Sequence, residues 1–119
     1  MITYGRPVLD VDAITESLAG EKISVEVIDL RTIAPFDAET VLNSVAKTNR
    51  AVIVHEAVKA FGAGAEISSR IHEELFSQLK APVGRVGSKY APVPFSPPLE
   101  QAWLYSRDEI TAAIKRTLT

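Results

Sequence analysis

The chain has 119 residues, enough for one domain with a useful core. Its formal net charge of −2 gives no electrostatic case for nucleic acid or a membrane surface as partner. The lack of cysteine excludes a disulfide framework and a thiolate zinc site. No apolar run approaches the roughly 18 residues of a membrane span. The first residues lack the basic-then-apolar order of a signal peptide. The expectation is a soluble, intracellular globular domain.

Met1 to Gly5 reads as the end of a strand followed by a turn. Pro7 suits a first helical turn, where its missing N–H is not needed. From Pro7 to Ala19 the apolar residues Val11, Ile14 and Leu18 recur at helical spacing, and Gly20 follows as a helix end prefers. Ser24 to Asp29 is predicted as the second strand, with Val25, Val27 and Ile28 suited to a packed, pleated surface. Asp29 and Arg31 then form a charged turn. Asp37 is placed to cap a helix from Ala38 to Thr48 that buries Val41, Leu42 and Val45.

Ala51-Val52-Ile53-Val54 is the most apolar short run and suits a strand covered on both faces, ending in His55-Glu56. A loop from Ala57 to Ala63 leads to a helix from about Ala65 to Gln78, with Ile67, Ile71, Leu75 and Leu79 on one side. His72, beside Glu73 and Glu74, is expected on a solvated face. A fourth strand is predicted over Val83 to Val86. Gly87 to Leu99, with Pro92, Pro94, Pro97 and Pro98, reads as an irregular connection. A capping box at Ser106-x-x-Glu109 opens the last helix, with Ile110, Ala113, Ile114 and Leu118 expected inward. Strand and helix thus alternate four times. That predicts an α/β fold, a three-layer α/β/α domain with a mostly parallel open sheet of four or five strands.

Gly62-Ala63-Gly64 follows a strand and opens a helix, the context of a phosphate loop. The third glycine, the distal ribose-binding acid and a Walker-type lysine are missing, which favours a structural pair that permits close approach. His55 and Glu56 end a strand, where ligands of open α/β sheets gather. As strand neighbours they point to opposite faces, so they make a poor acid–base pair with each other. Asp29 and Arg31 share a face and are expected to pair locally. Two histidines and no cysteine leave little for a metal site. No serine lies in a nucleophile elbow, and no paired carboxylates stand out.

Five phrases in order carry a resemblance. They are Val25 to Thr32 with Pro35-x-Asp37, Ser44-Val45-x-Lys47-Thr48, Val54-His55-Glu56-Ala57, Gly62-x-Gly64-Ala65-Glu66-Ile67, and Leu79-x-Ala81-Pro82-Val83-x-Arg85-Val86. With these, residues 1–119 resemble the transketolase C-terminal-like domain of the beta subunit of thiamine-diphosphate-dependent 2-oxo acid dehydrogenases. The pyruvate, branched-chain and acetoin types share that subunit.

The resemblance implies a domain without a catalytic set, in an enzyme that decarboxylates a 2-oxo acid and acylates a lipoyl group. Thiamine diphosphate and magnesium would belong to the full enzyme and not to this domain alone. The implied partners are an alpha subunit and a second beta subunit in an α2β2 assembly, and the peripheral subunit-binding domain of the acyltransferase. Neither nucleic acid nor membrane is implied. The compartment would be the cytoplasm in bacteria or the mitochondrial matrix in eukaryotes.

Asp29, Arg31, His55, Glu56, Gly62, Gly64, Lys80 and Thr119 are the candidate interface residues. Lys80 departs from the family pattern, because some members carry an acid there to receive a basic partner. The abrupt start is expected to mark a fragment lacking an upstream pyrimidine-binding domain. Alternatives are the same domain of a transketolase or deoxyxylulose-phosphate synthase, or a stand-alone anion-binding module.

Overall fold

Apolar residues at strand spacing and at helical spacing both need a partner surface, and three stacked layers supply it. The computed structural model describes residues 1–119. Four parallel strands form the middle layer: β1 (Ile2–Thr3), β2 (Ile28–Asp29), β3 (Val52–Val58) and β4 (Gly84–Ser88). Their order across the sheet is β2-β1-β3-β4. The helices are α1 (Pro7–Gly20), α2 (Ala38–Thr48), α3 (Ala63–Leu75), α4 (Pro97–Trp103) and α5 (Arg107–Arg116). A 3-10 turn at Phe76–Gln78 extends α3.

The sheet separates two cores. On one face Ile2 and Ile53 pack with Val41 and Val45 of α2 and Ile67, Ile71 and Leu75 of α3. On the other, Val52, Val54 and Val86 meet Val11, Ile14 and Leu18 of α1 and Ile110, Ala113 and Ile114 of α5. β3 therefore needs apolar residues at consecutive positions, which explains the unbroken run from Ala51. Each fully buried side chain of this size is worth about 1.5–3 kcal/mol relative to exposure. In β1 the Thr3 hydroxyl is buried without a hydrogen-bond partner.

The helix ends follow local chemistry. Asp37 caps α2 by accepting from the Thr40 amide at 3.0 Å. Asn49 closes it in the left-handed conformation, where Asn and Gly are tolerated best. Ser106 and Glu109 complete the capping box of α5. Gly20 is the last residue of α1 rather than the residue beyond it, and the left-handed turn falls at Lys22.

Several expectations are corrected. The second strand covers only Ile28–Asp29, because Ile2 pairs with Ile28 and only Met1 stands opposite the preceding residues. β3 runs on through Ala57 and Val58, re-paired to Ser88 after a register irregularity. β4 likewise runs on past Val86 to Ser88. Part of the proline-rich connection is helical. Pro97 and Pro98 occupy the first turn of α4, where proline costs no hydrogen bond. The Trp103 indole donates to the Ala91 carbonyl at 2.9 Å and ties α4 to the segment after β4.

Leu118 is 45% exposed. The last helix has ended by then, and Thr117 takes the buried place, with its hydroxyl donating to the Ile114 carbonyl at 2.7 Å. Leu42 is only half-buried. His72 is also half-buried, with Nδ1 at 2.8 Å from the Ser68 carbonyl one helical turn earlier. No helix is long and apolar enough to cross a membrane.

Candidate functional site

From β1 the chain crosses to β2 on one side and returns to β3 on the other. The strand order reverses between β1 and β3, and open α/β sheets use the carboxyl ends at such a point for function. Tyr4 and Arg6 follow β1 there, and His55 and Glu56 stand in β3. His55 and Glu56 diverge, as strand neighbours must. Glu56 reaches Arg6 at 3.6 Å across partly exposed surface, a pair worth at most about 1 kcal/mol.

His55 turns inward and is 1% exposed. Its ring stacks on Tyr4 with centroids 5.9 Å apart. Its Nδ1 lies 3.0 Å from the Ala57 carbonyl, which only accepts, so this nitrogen carries the proton in the neutral ring. Three glycines make room for it. A Cβ at Gly64 would stand 2.6 Å from Nε2, one at Gly62 2.9 Å from Cε1, and one at Gly87 3.0 Å from Cε1. The side of Gly62 and Gly64 on which a Cβ would project is filled by the imidazole and, at Gly62, by the Val58 carbonyl. The structural role expected for Gly62 and Gly64 thus has a named neighbour, which the sequence pattern alone did not supply.

Burial pushes the His55 pKa below its usual value; the Ala57 hydrogen bond opposes this, and the Arg85 charge, a smaller influence, adds to the lowering. No carboxylate touches the ring, so no acid–base pair forms. Asp29 and Arg31 meet at 2.8 Å at the end of β2, the local pairing anticipated for them. No three His, Asp or Glu side chains converge as metal ligands.

A second cluster joins residues nearly a chain length apart. The Asp10 carboxylate on α1 accepts from the Tyr105 hydroxyl at 2.9 Å and from Arg107 Nε at 2.8 Å. Burial alone would raise the Asp10 pKa, but these two bonds and the Arg107 charge hold it below its ordinary value. Burial, and then the Asp10 carboxylate, push the Tyr105 hydroxyl up.

Lys80 and Thr119 lie toward the opposite edge of the sheet. The Lys80 amide donates to the Asn49 carbonyl at 2.9 Å, and Arg50 Nε donates to the Thr117 carbonyl at 2.6 Å. A cleft of about 420 Å³ opens at this edge, lined by Val25, Glu26, Lys47, Arg50, Thr117 and Leu118 among others. No single contact links this edge to the His55 cluster, so the eight candidate residues make up no one site.

The fold agrees with comparisons to known proteins. The family model for the transketolase C-terminal domain matches residues 1–110. The chain belongs to the transketolase C-terminal domain family. The pyruvate dehydrogenase E1 component subunit beta of Staphylococcus aureus is 41% identical over 118 residues, covering 99% of this chain and 36% of that protein. The acetoin:2,6-dichlorophenolindophenol oxidoreductase subunit beta of Cupriavidus necator is 39% identical over 118 residues, covering 99% of this chain and 35% of that protein. Among solved structures, a split-gene transketolase described as an inactive beta4 tetramer superposes with a TM-score of 0.76. It shares 22% identity over 98% of this chain and 37% of that one, and so speaks for the fold alone. This transketolase C-terminal domain spans about a third of the length of the curated relatives it matches.

Two outcomes follow from the His55 packing. Gly64→Ala should destabilise by about 1–3 kcal/mol through overpacking, read from urea unfolding. The penalty should shrink on a His55→Ala background. A lowered folded-state pKa makes the unfolded chain bind more protons. Stability should therefore be full above the unfolded value of about 6.5 and fall as pH drops below it, down to the folded value. Melting curves between pH 7.5 and 5 should show this loss, reduced in His55→Gln.

Proposed function

We propose that this domain is the C-terminal assembly domain of a beta subunit in the decarboxylating component of a 2-oxo acid dehydrogenase. The observation that carries the proposal is the near-complete match, at about 40% identity, to one third of two such beta-type subunits. A transketolase assignment has the shared domain family and a fold neighbour at 22% identity in its favour. Decarboxylation of the 2-oxo acid, and the pyrimidine-binding half that supports it, fall to other residues of the natural polypeptide and its companions.

Thiamine diphosphate, with magnesium, would supply the carbanion chemistry in the assembled enzyme. The residues here do not fit that group. The glycine turn is occupied by His55, and no cluster of acids or histidines stands ready for the metal. The work of this domain is to present surface to an alpha subunit, a second beta subunit and the acyltransferase. In support, Phe61, Tyr90, Val93, Phe95 and Leu99 keep large apolar side chains in water. Exposed apolar groups of this kind mark interaction surfaces when they gather.

Docking of the acyltransferase involves the opposite edge. Lys80 is exposed there, and Arg50 contributes a second cation. A basic subunit-binding domain would meet like charge at Lys80, so its hold is weakened on this chain or rests on other groups.

Calorimetric titration of thiamine diphosphate with magnesium into the isolated chain should give no binding heat. Micromolar binding would sink the proposed division of labour. Lys80→Glu should tighten the affinity for a basic subunit-binding domain several-fold at low salt, measured by surface plasmon resonance. An unchanged affinity would remove Lys80 from the docking surface.

A further inference from the structure

Phe61 is held in a conformation that its side chain does not favour. Its φ is +59°, in the left-handed region where glycine and asparagine sit with least strain. The ring nevertheless buries almost nothing, being 91% exposed. It meets the ring of Tyr90 edge to face, with centroids 6.1 Å apart. Tyr90 is itself largely exposed. A large apolar residue kept at a strained position, in water, works against the stability of the isolated domain. Backbone outliers of this kind concentrate where a surface is built to bind.

The rim of the pair is basic. The Lys59 amide donates to the Ser88 carbonyl at 2.9 Å, which sets Lys59 beside Lys89 at the ends of β3 and β4. Arg85 donates from Nη1 to the Lys59 carbonyl at 3.3 Å. The Lys89 ammonium donates to the Ala102 carbonyl. None of these three cations takes part in any of the six ion pairs of the chain.

We propose that the Phe61–Tyr90 pair, rimmed by Lys59, Arg85 and Lys89, is the seat of a companion protein subunit that offers an apolar pocket edged by carboxylates. The inference rests on the assembly role proposed above and gives that role a location and a chemistry. A second copy of this chain is the poorer occupant, because a two-fold contact here would set the three cations against themselves. A nucleic acid is disfavoured as well. The rings meet edge to face and leave no parallel platform for bases, and the chain as a whole is net negative.

The test uses the natural polypeptide that carries this domain and the alpha subunit from the same organism, followed by sedimentation velocity at 50 and 300 mM salt. Phe61→Gly should weaken association at least tenfold while the melting temperature stays at or above that of the wild type. Lys59→Glu should weaken it several-fold at 50 mM salt and less at 300 mM, the mark of an electrostatic rim. Tyr90→Ser serves as an independent arm if Phe61→Gly proves unstable. Wild-type association with unchanged affinity in Tyr90→Ser and Lys59→Glu would overturn the inference and leave the assembly role standing. No association of the wild type at either salt would remove the assembly role and the inference together. Loss in Phe61→Gly of a wild-type homodimer, or of binding to phosphatidylserine vesicles, with alpha-subunit binding intact, would overturn it in favour of those occupants.

Discussion

The imidazole of His55 meets glycines from the segment after β3, the first turn of α3 and the middle of β4, and stacks on the tyrosine that follows β1. That contact sets the carboxyl edge of the sheet. It makes the glycine turn a socket for a side chain. It also coincides with the irregular pairing of β3 and β4, where the Ser88 hydroxyl donates to the Glu56 carbonyl at 2.5 Å. Beyond His55, past this irregularity, the last residues of β3 carry the chain to Lys59 and Phe61 at the rim. The interior packing and the exposed aromatic pair are thus two ends of one local construction.

Such an edge is packed closely around one buried ring. A general base needs an accessible nitrogen within reach of a substrate proton. His55 is enclosed on all sides described, and its protonated nitrogen is committed to a backbone carbonyl. Two charged pairs stand at the same end of the sheet, Asp29 with Arg31 and Glu56 with Arg6.

The periodic parts of the fold were legible in the residues. Val11, Ile14 and Leu18, and likewise Ile67, Ile71 and Leu75, declared their helices by spacing, and both cores use them. Asp37, Ser106 and Glu109 declared helix starts through short-range chemistry that tertiary structure left intact. Pairing was less legible. The length of β2 depends on what stands opposite it, and that of β3 on a register shift against Ser88, neither of which is a local property. Prolines misled in the opposite sense, since Pro97 and Pro98 begin a helix that their number suggested was absent. The site clusters were legible only in part. Adjacent Asp29 and Arg31 could be paired on sight, whereas His55 with Gly87, or Asp10 with Tyr105, requires the fold to bring them together.

The order in which the layers close has a consequence during synthesis. The face of the sheet that carries α1 is completed by α5, whose Ile110, Ala113 and Ile114 seal Val52, Val54 and Val86. Asp10 waits for Tyr105 and Arg107, which lie 95 and 97 residues further on. The opposite face closes with α2 and α3, well before that point. A nascent chain therefore leaves the ribosome with one half of its sheet covered and the other half bare until residues 107–116 emerge. Exposed apolar strands are the species that aggregate and that chaperones hold. The last helix is in this sense the element that ends the vulnerable period of the domain's life.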